Sequence, residues 1–192
     1  MPREISDLFS LYESVSSEKV HSKWIDKQDF SDKVVLDIGC GSGRDANYIA
    51  SKGAKIVIAS DKSSEMITLA KSKHKSPKIK WIVDNLPYLT NLKQQNLNEF
   101  DFIICSAVLM FLNKKDQEKS IIRILSLLSS GGKAVISVKE DINDERIFRV
   151  DDSIFHCLRE SLFDLTITND NADSLGRNQV KWKIYTLIKK EY

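Results

Sequence analysis

The sequence predicts an α/β protein: a three-layer sheet of about seven strands, mainly parallel, with a C-terminal antiparallel hairpin. Three observations predict it. Short apolar runs alternate with helix-periodic segments from Val34 to Lys139, the order that builds a parallel sheet with crossover helices. The run VVLDI leads straight into CGSG, with Gly39, Gly41 and Gly43 at every second position. The last two apolar runs, 163–168 and 180–188, are separated only by the polar stretch 169–179, so they pair as a hairpin.

Each element has a local reason. Residues 6–15 and 17–25 read as two short helices, with Leu8, Leu11, Tyr12 and Val15 on one face. Residues 28–33 are a polar connector. Val34, Val35, Leu36 and Ile38 form a buried first strand. The glycines then let the backbone turn sharply and approach a ligand, because they carry no Cβ. Ala46, Ile49 and Ala50 recur at helical spacing over 44–52, with Gly53 as the stop. A second strand over 55–60 precedes Asp61. Ser63 caps a helix to about residue 73, with Glu65 in its first turn and Met66, Leu69 and Ala70 inward. Residues 79–83 form a third strand before Asp84. The stretch 87–98 is irregular with one short helix, and 100–106 is the fourth strand. Residues 114–129 predict an amphipathic helix with Ile121, Ile122, Leu125 and Leu128 on its apolar side, stopped by Gly131 and Gly132. A fifth strand covers 133–139, and 152–162 reads as helix.

Composition narrows the class. The chain has 192 residues, the size of one domain with a sizeable core. No apolar run approaches the roughly 20 residues that span a bilayer. The N-terminus lacks the apolar core of a signal peptide, so a cytoplasmic location is expected. Cys40, Cys105 and Cys157 are odd in number and far apart, which suggests reduced thiols and argues against a disulfide frame or a metal cluster. A net charge of +2 does not by itself imply a nucleic-acid partner. The run Lys71, Lys73, Lys75, Lys78 and Lys80 with His74 sits at a helix C-terminus, where cations complement the dipole; its reading as solvated surface outweighs that as a nucleic-acid patch.

Asp37, Asp61, Asp84 and Ser106 each end one of four successive strands. In a parallel sheet those ends share one edge, where ligands bind. An acid after the second strand suits ribose hydroxyls. Met66 is placed for an adenine face, and Asp84 with the next N–H for an adenine edge. The competing reading is that these aspartates cap turns and helices.

These residues carry a resemblance. VVLDIGCGSG, Asp61, Asp84 and the run FDFIICSAVLMFL followed by a helix, two glycines and KAVISVK resemble the ordered motifs of class I S-adenosylmethionine-dependent methyltransferases. CGSGRDA, SAVLMFL and DSLGRNQVKW are similar to a compact bacterial group of these enzymes, and SAVLMFL also to tellurite-resistance methyltransferases. The resemblance implies one Rossmann-like domain over 1–192, with a helical lid over 1–32 and a core over 33–192. It implies S-adenosylmethionine as cofactor, held by Asp37, Gly39, Cys40, Gly41, Gly43, Arg44, Asp61, Lys62, Met66, Asp84, Asn85, Leu86, Ser106 and Ala107. Arg44 would pair with the cofactor's carboxylate, or else be exposed at the helix start. Cys40 reads as a small loop residue, with no histidine nearby in sequence to activate it.

Methyl transfer needs alignment more than acid–base work, and no acid or base is named by the sequence. By family position the acceptor lies against Val108 and Met110 after the fourth strand, Arg149 and Arg177 near the C-terminus, and Tyr12 of the lid; Arg146 and Trp182 belong to the same region. Arg177 follows Gly176 and suits an anionic group on a small molecule. His21 and His156 receive no role, and Trp24, Trp81 and Trp182 read as core or lid. Asn85–Leu86–Pro87–Tyr88 resembles the NPPY signature of amino-group DNA methyltransferases, but follows the third strand and not the fourth. With no added recognition domain, zinc module or strong basic stripe to read in the sequence, a small-molecule acceptor is expected. RNA, protein, or a non-catalytic cofactor-binding role are the alternatives, and a nicotinamide-dependent oxidoreductase is disfavoured because the loop spells GxGxG and not GxGxxG.

Overall fold

A computed structural model describes residues 4–140, 145–156, 162–170, 174 and 180–191. Its sheet has seven strands: β1 (Val34–Ile38), β2 (Ile56–Asp61), β3 (Ile79–Val83), β4 (Phe100–Ser106), β5 (Leu128–Lys139), β6 (Phe163–Asp170) and β7 (Trp182–Lys189). Their spatial order is β3-β2-β1-β4-β5-β7-β6. The first five pair in parallel, with Asp37 beside Ala59 on one side and Ile104 on the other. β7 lies antiparallel between β5 and β6, with Val135 opposite Thr186 and Ile167 opposite Tyr185. The α/β class and the hairpin are as the sequence predicts.

Helices cover both faces: α1 (Ile5–Glu13), α2 (Ser17–Val20), α3 (Arg44–Ser51), α4 (Ser64–Lys73), α5 (Thr90–Gln94), α6 (Lys114–Ser126) and α7 (Ser153–His156). On one face Val35, Val57, Phe102 and Ile104 pack with Ala46, Ile49 and Ala50 of α3, and with Trp24, Ile25 and Phe30. On the other, Leu36, Ile58, Ile103 and Ile136 pack with Ile121, Ile124 and Leu125 of α6. Each fully buried large side chain is worth about 1.5–3 kcal/mol, which is why the apolar runs fix the strands. Ser63 caps α4, its hydroxyl accepting from Met66 N at 3.1 Å.

The structure corrects four expectations. The second N-terminal helix does not run to residue 25: α2 ends at Val20, and a 3-10 turn follows at Ile25–Lys27. The bend lets Trp24, Ile25 and Phe30 enter the core. The helix expected over 114–129 stops at Ser126, and Leu128 already belongs to β5, paired with Phe100. Gly131 and Gly132 do not stop the helix. They lie inside β5, where the β4–β5 register shifts, and a Cβ on Gly132 would sit 2.9 Å from both Phe100 O and Ser129 O. Ile122 is 64% exposed; Ile124 takes the inward place beside Ile121 and Leu125. Part of the helix expected over 152–162, and most of 169–179, lie outside the described residues. Among the described residues, no helix is long and apolar enough to cross a membrane.

Candidate functional site

The chain leaves β1 toward β2 and returns from β3 to β4 on the far side of β1. That reversal opens a crevice at the C-terminal ends of β1 and β4. The glycine loop lies there. Gly39 N and Cys40 N both donate to Ser60 O, at 2.7 and 2.9 Å, which pins the loop to β2. Gly39, Gly41 and Gly43 all have positive φ, at 70°, 53° and 80°. Two are also required sterically. A Cβ on Gly39 would collide with the Val108 side chain, and one on Gly43 with the Trp81 ring.

The three strand-end aspartates have distinct environments. Asp61 accepts from Gly41 N at 3.0 Å through Oδ2 and from Ser63 N at 2.9 Å through Oδ1. Asp84 accepts from Asn85 N at 2.9 Å and from Leu92 N at 2.8 Å, so it fixes α5 as well as ending β3. A carboxylate oxygen has two lone pairs, and neither residue is saturated by these bonds. Asp37 is 3% exposed, and among the described residues its Oδ2 has no hydrogen-bond partner. Burial drives its carboxyl well above the ordinary carboxylate range. Asp45 and Asp61 add to that shift, while Arg44 and the Ala46 N–H offset part of it. Cys40 is buried, and that burial likewise pushes its thiol up, the reverse of what a nucleophile needs. Met66 and Leu86 are buried, whereas Lys62 and Asn85 are exposed at the same edge.

The N-terminal segment closes over this edge. Tyr12 lies on the glycine loop: a Cβ on Gly41 would be 3.3 Å from Tyr12 Cδ2. Arg44 Nη1 donates to Tyr12 O at 2.9 Å, and its Nε and Nη2 donate to the two oxygens of Asp45 at 2.9 Å. Arg44 thus bonds both its neighbour on α3 and the N-terminal segment. Asp45 also accepts from Ser17 Oγ at 2.7 Å and pairs with His21 Nε2 at 2.9 Å. Burial alone would raise the Asp45 carboxyl, but His21 and Arg44 hold it well below the usual range.

After β4, Ser106 Oγ and Ser137 Oγ are 2.8 Å apart on neighbouring strands. Ala107 follows in a left-handed conformation, φ 58°, with its N–H on Ser137 O at 2.9 Å. A non-glycine residue held there is a strained position of the kind that gathers at sites. Val108 reaches the glycine loop. Met110 is 4% exposed, and its Sδ accepts from Lys139 N at 3.2 Å, so it belongs to the core beneath the edge. Arg149 is exposed, and Arg177 lies outside the described residues. A partly open pocket lies beside Ser106 and Ser137. It is walled by Val20, His21, Trp24, Trp182, Ile184, Asp170 and Ser174. His21, Ser137 and Asp170 were given no site role by the sequence, since their partners lie on other elements.

Residues 35–132 match the family described as methyltransferase domain, a span just over half of the chain. The chain belongs to that family. The methyltransferase also matches the curated protein "Putative methyltransferase 235L" of Invertebrate iridescent virus 6, at 31% identity over 109 residues. That match spans 55% of this chain but only 37% of the viral protein. In fold it is similar to a TehB-like S-adenosylmethionine-dependent methyltransferase from Corynebacterium glutamicum. The TM-score is 0.69 at 22% identity, over 96% of this chain and 95% of that one. The N-methyltransferase NodS from Bradyrhizobium japonicum, solved with S-adenosyl-L-homocysteine, has a TM-score of 0.68 at 17% identity, over 97% of this chain and 87% of that one. The chain therefore belongs to the methyltransferase-domain family and shares the fold of solved S-adenosylmethionine-dependent methyltransferases.

Proposed function

We propose that this methyltransferase uses S-adenosylmethionine to methylate a small molecule bound beside Ser106. The observation that carries the acceptor's size is the pocket at the ends of β4 and β5. Its walls come from the N-terminal segment and the hairpin as well as the sheet, so it is enclosed on several sides.

The residues at the edge fit the cofactor. Asp37 has a buried carboxylate oxygen without a partner among the described residues, which suits the cofactor's ammonium. Gly39 and Gly41 let Val108 and Tyr12 pack directly against the loop that would hold the amino-acid end. Asp61 keeps lone pairs for ribose hydroxyls, and Asp84 with Asn85 N–H lies at the adenine end. Bound S-adenosylmethionine supplies an electrophilic methyl group on a sulfonium. The protein's part is to hold the acceptor in line with that methyl and keep water away, which by itself can supply much of the rate. Ser106 and Ala107, at the meeting of the two halves of the edge, would do the aligning.

The test is transfer of labelled methyl from S-adenosylmethionine into cell extract fractionated by size. Label in the small-molecule fraction supports the reading; label confined to RNA or to protein overturns the small acceptor.

A further inference from the structure

We propose that His21, oriented by Asp45, is the proton acceptor of the pocket, and that the pocket takes a small aromatic hydroxyl compound. The inference rests on the methyltransferase reading and deepens it. Four observations carry it. His21 is buried, lines the pocket, and makes its hydrogen bond through Nε2 to Asp45 Oδ2. The Asp45 carboxylate accepts four bonds, from Ser17, His21 and twice from Arg44. An ionised carboxylate only accepts, so Nε2 carries the proton. Nδ1 of the neutral ring is then the basic atom, and among the described residues it has no hydrogen-bond partner. Trp24, a second wall residue, is 7% exposed, and among the described residues its Nε1–H has no acceptor. Trp24, Trp182, Val20 and Ile184 offer flat and apolar contact, whereas Ser106 and Ser137 hydroxyls form a polar floor. The cavity holds about 40 Å³ and is open on one side, so it takes the hydroxyl end of an aromatic compound while the ring lies against its rim.

The charged groups around His21 suit the task. Asp45 and Arg44 face it from α3. Asp170 faces the same pocket from β6, with Lys23 Nζ 3.9 Å from its carboxylate. A proton taken by Nδ1 therefore creates an imidazolium directly paired with Asp45. In the step, Nδ1 takes the hydroxyl proton as that oxygen bonds to the methyl carbon and the methyl–sulfur bond breaks. The imidazolium returns its proton to water when the ether product leaves.

The test uses the full chain, S-adenosylhomocysteine and 4-nitrophenol, whose visible absorbance reports its ionisation. Calorimetry first establishes that S-adenosylhomocysteine binds; failure there overturns the methyltransferase reading and this inference with it. In the loaded protein, below the pH at which free 4-nitrophenol ionises, the bound probe is expected to show the phenolate band. His21→Gln is expected to abolish the band while S-adenosylhomocysteine still binds, and to lower methyl transfer to phenols about 10²–10⁴-fold. A band unchanged in His21→Gln, a probe bound as neutral phenol, or no probe binding overturns the inference and leaves the methyltransferase reading intact. Should His21→Gln not fold, ¹⁵N-histidine spectra of the unmodified protein decide. A neutral ring protonated on Nε2 that gains its second proton when the probe binds supports the assignment; an imidazolium at every pH contradicts it.

Discussion

Asp61 Oδ2 accepts a hydrogen bond from Gly41 N at 3.0 Å. This single bond joins the end of β2 to the middle of the glycine loop, so the residue expected to bind ribose also shapes the loop beside it. Asp61→Ala should lower S-adenosylhomocysteine affinity by about 1.5–3 kcal/mol, the worth of a hydrogen bond to a charged group. Asp61→Asn keeps one acceptor and should recover part of the loss. Calorimetric affinities equal to those of the unmodified protein would remove Asp61 from the site.

Gly39 and Val108 face each other across the crevice, with no room for a methyl group between them. Gly39→Ala combines that overlap with a strained φ, and should destabilise the fold by about 1–3 kcal/mol. Adding Val108→Ala should relieve the overlap but not the strain, restoring only part of the stability. Urea denaturation of the single and double variants measures both. A double variant no more stable than Gly39→Ala would show that the overlap is not the cause.

Asp37 ties stability to pH. Its folded pKa is raised by burial, so ionisation costs stability, and the cost grows as pH rises above the unfolded value of about 3.9. Asp37→Asn should therefore raise the melting temperature of the ligand-free protein at neutral pH and have little effect in acid. The same variant should lose affinity for the cofactor's ammonium end. In the unmodified protein, binding should weaken as pH falls through the raised pKa, and it should release a proton. Calorimetry in buffers of different ionisation enthalpy detects that proton; buffer-independent heats would contradict it.

The first thirty residues are of two kinds. No residue of α1 is buried, whereas Trp24, Ile25 and Phe30 are core. Removal of the chain through residue 15 should leave a folded protein with weaker cofactor affinity, because it takes Tyr12 from the loop. Removal through residue 32 should prevent folding: three such side chains, at about 1.5–3 kcal/mol each, rival the net stability of a domain. Circular dichroism and calorimetry separate the cases. Unchanged affinity in the shorter truncation would end the lid reading.

Much of the edge was legible because its cues are local. Val34–Ile38, Ile79–Val83 and Phe100–Ser106 are short apolar runs bounded by polar residues or glycine, and β1, β3 and β4 occupy those spans. The boundary after α6 was not, because Leu127 and Leu128 suit helix or strand equally, and Gly131–Gly132 look like a stop when they serve a register shift. His21 and Asp45 are 24 residues apart and meet only when α2 docks on α3. Nothing in their neighbourhoods in sequence announces the pair. Arg44 was legible in place but not in its partners: it sits at the glycine loop, and Asp45 and the Tyr12 carbonyl take three of its five N–H donors.

The central claim is that the edge from Asp37 to Asp84 holds S-adenosylmethionine. Calorimetric titration of the full chain with S-adenosylhomocysteine and, separately, with a nicotinamide dinucleotide tests it most directly. The expected result is one S-adenosylhomocysteine per chain, weakened by Asp61→Ala, and no dinucleotide binding. Selective binding of the dinucleotide would contradict the account.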